Sequence, residues 1–311
     1  MKNYIPNGVW PTMITPFSDG KVDYNALENL IAWYIKNGVA GLFAVCQSSE
    51  MFKLSLEERI EIAKFVKKIT NGQVPVIASG HISEDLYSQL EEVNRMAETG
   101  IEAVVLITNR FAARHESDDI WKANLEEFLK DIPQEITLGF YECPYPYKRV
   151  LSSELMKWCA ETGRFTFLKD TSCDLENIKE KLIKTKGTGL KLFNANTATL
   201  LASLKIGANG YSGVMANFHP DLYVWLCNNW DKSPEKASEL QNILSMCALI
   251  EKQLYPVNAK YYMKLEGQKI SCESRTKNAN ELTETYKLEV QQLRNISKKL
   301  SKEYPISSLV K

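Results

Sequence analysis

Metal-binding side chains are scarce in this sequence. Its three histidines, His81, His115 and His219, stand too far apart to suggest a shared ion, and there is no C-x-x-C pair. No metal and no cofactor is expected. Seven cysteines, at 46, 143, 159, 173, 227, 247 and 272, are odd in number. That suits free thiols in a reducing cytoplasm better than a disulfide framework. Excess charge is missing as well, since 38 Lys and Arg balance 38 Asp and Glu. With no net field, nucleic acid and anionic membrane are not expected as partners. No apolar run approaches the roughly 18 residues that span a bilayer. Residues 1–13 hold no apolar core of signal-peptide length, so a cytoplasmic protein is expected. Also absent are a P-loop, a Ser/His/Asp arrangement and a G-x-G-x-x-G after the first strand. The last absence weighs against the commonest open, dinucleotide-binding α/β sheet.

What is present is alternation. Short apolar or β-branched runs at 9–15, 41–46, 74–79, 103–108, 136–141, 165–169, 191–194 and 210–215 read as strands. Amphipathic stretches at 24–37, 55 onward, 83–99, 117–129, 152–162, 174–184 and 197–206 read as helices between them. Ser55 and Glu58 have the spacing of a capping box. Gly38, Gly100, Gly163 and Gly207 each follow a helix pattern, where a left-handed residue ends the helix. Repeated βα units imply a parallel sheet, and eight apolar strands favour a closed (β/α)8 TIM barrel. After 217 only helical patterns remain, at 221–229, 234–254, 258–266 and 281–302. The expected division is a barrel over 1–220 and a helical region over 221–311 packed on it. Met246, Leu249, Ile250 and Leu254 share one helix face, expected to pack on the barrel or on a neighbouring subunit.

In a barrel, function sits where strands end. Lys169 closes the hydrophobic run Phe165-Thr166-Phe167-Leu168. A lysine there loses solvation, which favours the neutral amine that attacks carbonyls. Position alone also allows a structural pair with Asp170. Tyr141 ends the preceding strand and is either a proton carrier or a packed phenol. Gln47, Ser48 and Ser49 follow the second strand, where hydroxyls hold a carboxylate or cap a helix. Asn109 and Phe111 follow the fourth strand, and Ser212 and Gly213 lie on the eighth. These seven are the candidate substrate-binding residues. Cys46 and Cys143 flank the same ends and read as small buried side chains.

At these residues the chain resembles the N-acetylneuraminate lyase and dihydrodipicolinate synthase family of class I aldolases. The likeness starts at Ile14-Thr15-Pro16-Phe17 and passes through Gln47-Ser48-Ser49-Glu50, where the family has G-[ST]-T-G-E. Tyr141-Glu142-Cys143-Pro144 is similar to Y-N-x-P, and Leu168-Lys169-Asp170-Thr171-Ser172 to [IV]-K-[DE]-[ST]-[SG]. The 207–210 turn and the Pro256-Val257-Asn258-Ala259-Lys260 stretch extend it to near full length. The resemblance implies a homotetramer of barrels, an imine between Lys169 and pyruvate or a related 2-keto acid, and proton transfer by Tyr141. It implies that Ser48 and the backbone of its loop hold the keto acid's carboxylate.

Departures bear on substrate. Gln47 stands where the synthases carry a relay hydroxyl, Ser49 replaces Gly, and Phe111 stands for a relay tyrosine supplied across a subunit interface. Pro146 occupies the place of an arginine for the second substrate's carboxylate, with Arg149 nearby. After the seventh strand, Asn194-Ala195-Asn196 lacks the acidic pair of the sialic acid lyases. The expectation is a pyruvate-dependent aldolase or lyase whose substrate is neither sialic acid nor dihydrodipicolinate. The other readings are a dehydratase or hydratase-aldolase on a 2-keto-3-deoxy sugar acid, dihydrodipicolinate synthesis despite the altered relay, and a relative without turnover. The expected mouth also takes in Glu142, Tyr145, Tyr147 and Asn196.

Overall fold

The computed structural model describes residues 5–306. Its strands are β1 (Gly8–Val9), β2 (Phe17–Ser18), β3 (Lys21–Val22), β4 (Leu42–Phe43), β5 (Val76–His81), β6 (Ala103–Ile107), β7 (Leu138–Tyr141), β8 (Phe165–Asp170), β9 (Lys191–Asn194) and β10 (Gly210–Tyr211). Its α-helices are α1 (Tyr24–Lys36), α2 (Leu56–Thr70), α3 (Leu86–Ala97), α4 (Asp118–Lys130), α5 (Ser153–Glu161), α6 (Leu175–Lys184) and α7 (Leu200–Lys205). Beyond the last strand come α8 (Pro220–Asn229), α9 (Pro234–Cys247), α10 (Val257–Leu265) and α11 (Glu284–Glu303).

Eight parallel strands form one curled sheet in the order β1-β10-β9-β8-β7-β6-β5-β4, and β2 and β3 make a separate antiparallel pair. No continuous ladder joins the end strands among the described residues. That seam carries a parallel bridge from Thr12 to Phe43 and the backbone bonds Met13 N to Phe43 O (3.0 Å) and Phe43 N to Pro11 O (3.1 Å). The strand expected over 9–15 therefore shrinks to Gly8–Val9. Pro11 and Pro16 have no N–H to give a ladder. The strand expected over 210–215 ends at Tyr211 because a short 3₁₀ turn, Val214–Asn217, follows.

Local chemistry accounts for the helices. The Ser55 hydroxyl accepts from Glu58 N at 3.1 Å while Glu58 accepts from Ser55 N at 3.0 Å, completing the capping box. Asp23, Asp85, Ser117, Ser152 and Asp174 cap five more helices with their side chains. Gly38, Gly100, Gly163 and Gly207 all have positive φ just past helix ends, as the sequence predicts.

The sheet separates two aromatic layers. Trp10, Phe43, Phe167 and Phe193 meet within the curl, with Phe167 and Phe193 stacked at 4.7 Å. Trp121, Phe140 and Phe165 pack on the helix side. Burial of each such ring stabilises the fold by roughly 1.5–3 kcal/mol. A bulge sets the phase of β8. Leu138 pairs with Phe165, but the next residue, Gly139, pairs with Phe167, leaving Thr166 as an extra residue. Beyond it, Phe167 and Lys169 share the inner face, and Asp170 turns toward α6.

The expected helix over 234–254 breaks at Cys247, and a 3₁₀ turn covers Ala248–Lys252. Only part of its apolar face meets this chain. Ile250 is buried, while Met246 and Leu249 are 67% and 49% exposed. Packing on the barrel thus does not hold for those two.

Candidate active site

The C-terminal ends of the parallel strands surround a cavity of about 380 Å³. Strand residues Tyr141 and Lys169 reach it from the paired strands β7 and β8, whose register sets the two side by side. Gln47 and Ser48 reach it from the turn after β4, Asn196 from the turn after β9, and Gly213 from the turn after β10. A Cβ at Gly213 would lie 2.3 Å from the Tyr211 hydroxyl and 2.5 Å from Ala195 O, so only glycine fits there.

Lys169 is 5% exposed, and its Nζ stands 4.3 Å from the centre of the Tyr141 ring. No carboxylate lies within 4 Å of it among the described residues. Asp170 instead accepts from Lys181 at 2.6 Å and from the Ser172 hydroxyl at 2.6 Å. Burial pushes the Lys169 amine below its usual range, against the opposing pull of Cys46, Cys143 and Glu251. Burial likewise raises the Tyr141 phenol well above its usual value, with the neighbouring thiols adding to it. The Tyr141 hydroxyl lies 3.4 Å from Gln47 Oε1, and Cys143 Sγ donates to the same oxygen at 3.5 Å. Cys143 itself is pushed up to about 11, chiefly by burial. The Ser48 hydroxyl donates to Thr12 Oγ1 at 3.1 Å.

Behind the strand ends is a fully buried charge cluster. Lys181 of α6 bonds to Glu142 at 2.5 Å and to Asp170 at 2.6 Å, and all three side chains are 0% exposed. Glu142 also accepts from Leu151 N and Thr171 N, each at 2.9 Å. Residues directly following Tyr141 and Lys169 are thereby tied together. Another buried carboxylate, Glu50, accepts from Lys260 Nζ, Ser274 Oγ, Arg275 N, Thr276 N and Thr276 Oγ1. It fixes the 274–276 loop over the turn that carries Ser48.

Other sequence candidates lie elsewhere. Ser49 directs its hydroxyl to Met13 O and Ala44 O and supports the turn from beneath. The Ser212 hydroxyl is buried and outside the lining. Asn109 donates to Cys143 O, Tyr145 O and Tyr147 O, holding the loop after β7. Phe111 stacks on His81 at 5.0 Å and, with Asn109, Pro146 and Tyr147, lines a separate depression. Arg149 is consumed by Ala113 O, Glu116 O, Ser117 O and Asp118. Glu142 lies behind the mouth, and Tyr145 is outside the lining, on Phe52. Thr171, in the segment after Lys169 that the sequence singled out, also lines the cavity, and the residues that sequence reasoning missed there are Lys148, Cys173, Glu251, Tyr255, Thr276 and Lys277. Only the Pro256 stretch next to Tyr255 carried a sequence signal.

Comparison with known proteins gives a consistent result. The 4-hydroxy-tetrahydrodipicolinate synthase of Methanococcus maripaludis is 26% identical over 269 residues, covering 84% of this chain and 88% of the relative. The enzyme of the same name from Thermodesulfovibrio yellowstonii is 27% identical over 287 residues, covering 89% and 96%. Among solved structures, a prophage protein of the dihydrodipicolinic acid synthase family from E. coli K12, in complex with pyruvate, matches with a TM-score of 0.83 at 23% identity, covering 95% of this chain and 98% of that one. A dihydrodipicolinate synthase from Thermotoga maritima matches with a TM-score of 0.84 at 19% identity, covering 95% and 99%. Residues 5–296 match the model of the dihydrodipicolinate synthetase family, and the chain belongs to that family.

Proposed function

We propose that the protein is a Schiff-base-forming aldolase or lyase that uses Lys169 to hold a 2-keto acid, with pyruvate as the imine-forming substrate or product. The observation that carries this reading is the buried, carboxylate-free Lys169 amine beside the Tyr141 ring in a cavity that also holds Ser48. The neutral amine adds to the ketone, and water leaves as the imine forms. In the cleavage direction Tyr141, kept as the neutral phenol by burial, relays the proton of the hydroxyl next to the breaking carbon–carbon bond to water in the cavity, receiving one proton as it gives up its own. The bond's electron pair moves into the protonated imine and gives an enamine. That stabilisation grows as the bond breaks, which is what lowers the barrier. Protonation of the enamine carbon and hydrolysis return pyruvate and the free amine. Ser48 and the backbone of its turn hold the carboxylate.

Substrates other than sialic acid and dihydrodipicolinate fit best. Gln47 offers an amide where a hydroxyl relay is needed, Phe111 faces a different depression, and 194–196 carries no carboxylate. The names of the relatives favour a second reading, condensation to 4-hydroxy-tetrahydrodipicolinate. We further read residues 1–220 as the barrel unit of a cytoplasmic homotetramer, with the helical region 221–311 packed on it, residues 1–4 and 307–311 lying outside the described residues. The exposed Met246 and Leu249 are consistent with a face that meets another copy. The test is borohydride reduction with pyruvate followed by peptide mass spectrometry. A pyruvyl adduct on Lys169 is expected, and a folded sample with no adduct overturns the proposal. Coupled assay with aspartate semialdehyde and a panel of 2-keto acids separates the two readings.

A further inference from the structure

Besides Tyr141, four hydroxyl side chains line the cavity: Ser48, Thr171, Tyr255 and Thr276. Two are committed to the protein. Thr171 Oγ1 donates to Glu142 O at 2.6 Å, and Thr276 Oγ1 donates to Glu50 at 2.9 Å. The other two hang from one framework. Ser48 Oγ donates to Thr12 Oγ1 at 3.1 Å, a bond between two rotatable hydroxyls that Ser48 can exchange for one to a bound carboxylate. Asn217 Nδ2 lies 2.9 Å from Thr12 O, 3.0 Å from Val214 O and 3.0 Å from the Tyr255 hydroxyl. Tyr34 donates to Asn217 Oδ1. Two carbonyls beside Asn217 Nδ2 identify it as the amide nitrogen, which can only donate. Tyr255 therefore cannot give its hydrogen to Asn217. That hydrogen is left free to point into the cavity, which Tyr255 and Ser48 both line.

We infer that Tyr255 is a second hydroxyl donor to the carboxylate of the bound keto acid, paired with Ser48, and that it sets the preference for ketones bearing a carboxylate. The inference rests on the proposed imine chemistry. Residues 48 and 255 come from distant parts of the chain, and the shared contacts with Thr12 and Asn217 bring their oxygens to one wall. A carboxylate accepts two O–H donors at once, and charge-assisted bonds of this kind are among the stronger ones. A neutral ketone offers no charged acceptor to the second donor and so gains far less from it.

The experiment compares wild type with Tyr255→Phe, which keeps the ring and removes the hydroxyl. Borohydride trapping is measured against pyruvate and against hydroxyacetone, a neutral ketone. Trapping of wild type by pyruvate comes first, because its absence removes the proposed function rather than this inference. With that established, the half-saturating pyruvate concentration should rise about tenfold or more in the variant. Maximal trapping should be kept, and half-saturation by hydroxyacetone should stay within about twofold, well below the effect of a charged bond. Half-saturation does not depend on the fraction of folded protein, so partial misfolding leaves the comparison valid. An equal rise for both ketones overturns the inference, as does no rise for either. Unchanged half-saturation with loss of turnover alone also overturns it, since Tyr255 would then carry protons rather than hold the acid.

Discussion

Replacing Lys181 with Met isolates the role of the buried cluster behind the strand ends. The ammonium serves two carboxylates, Glu142 and Asp170, at 2.5 and 2.6 Å, and none of the three is solvent-exposed. Removing one partner of a buried ion pair costs about 3–5 kcal/mol, because the remaining charge is left without compensation. Here two like charges remain, so the variant can relieve itself only by binding a proton. Glu142 already has its carboxyl raised above the usual 4.5, chiefly by burial, with Lys181 pulling it down and Asp170 pushing it up. Without Lys181 that upward shift grows. A carboxyl raised in the folded state binds more protons there than in the unfolded chain. Its contribution to stability is complete below the unfolded pKa and is lost as pH rises through the folded one. The stability deficit of Lys181→Met should therefore be larger at pH 7 than at pH 5. Urea unfolding at fixed protein concentration, followed by tryptophan fluorescence at both pH values, gives the measurement. Adding Glu142→Gln should recover part of the loss, so the double variant costs less than the sum of the singles. A deficit below about 1 kcal/mol at pH 7 would refute the reasoning, because it falls under the range for a broken buried pair. So would a deficit that deepens in acid.

Three further outcomes are expected. Tyr141→Phe should keep pyruvate trapping on Lys169 while turnover falls by about 10²–10⁴, the usual worth of a positioned proton carrier; equal loss of both contradicts that division. The pH profile of trapping should show its amine inflection below 10.5, since burial favours the neutral form, and Glu251→Gln should move it lower still because Glu251 opposes the shift. An inflection that stays put in Glu251→Gln counts against the carboxylate's influence. Buried His81 and His219 are lowered to about 4 and about 3. The unfolded chain takes up their protons below about 6.5, so stability should fall as pH drops from there toward 4, as measured by urea midpoints.

Much of this architecture is legible in the sequence because it is local. Ser55 with Glu58, and glycines after four helices, mark boundaries that depend on a few neighbouring residues. Lys169 and Tyr141 meet because consecutive strands of a parallel sheet pair, so two strand-end residues become neighbours without knowledge of the loops. The rest is written in contacts between distant segments. Nothing near Thr166 announces the bulge that turns Lys169 inward. Phe111 reads as a mouth residue from its place after a strand, yet its ring fits among His81, Trp121 and Phe128. Tyr255 and Lys277 enter the cavity from loops in the helical region, where no strand periodicity points to them. Glu142 looks like a polar mouth residue until Lys181, on a helix 39 positions away, claims it.

Glu50 adds a constraint on timing. Its carboxylate is adjacent in sequence to the turn bearing Ser48, yet its partners lie 210 to 226 residues later. A ribosome has released the whole parallel sheet before it supplies those partners. The turn that carries Ser48 thus acquires its final anchor only when the region around residue 276 emerges. A nascent chain stalled before that point would carry Lys169, the proposed imine-forming residue, without a fully seated Ser48 turn, which delays competence until the region around residue 276 has been made.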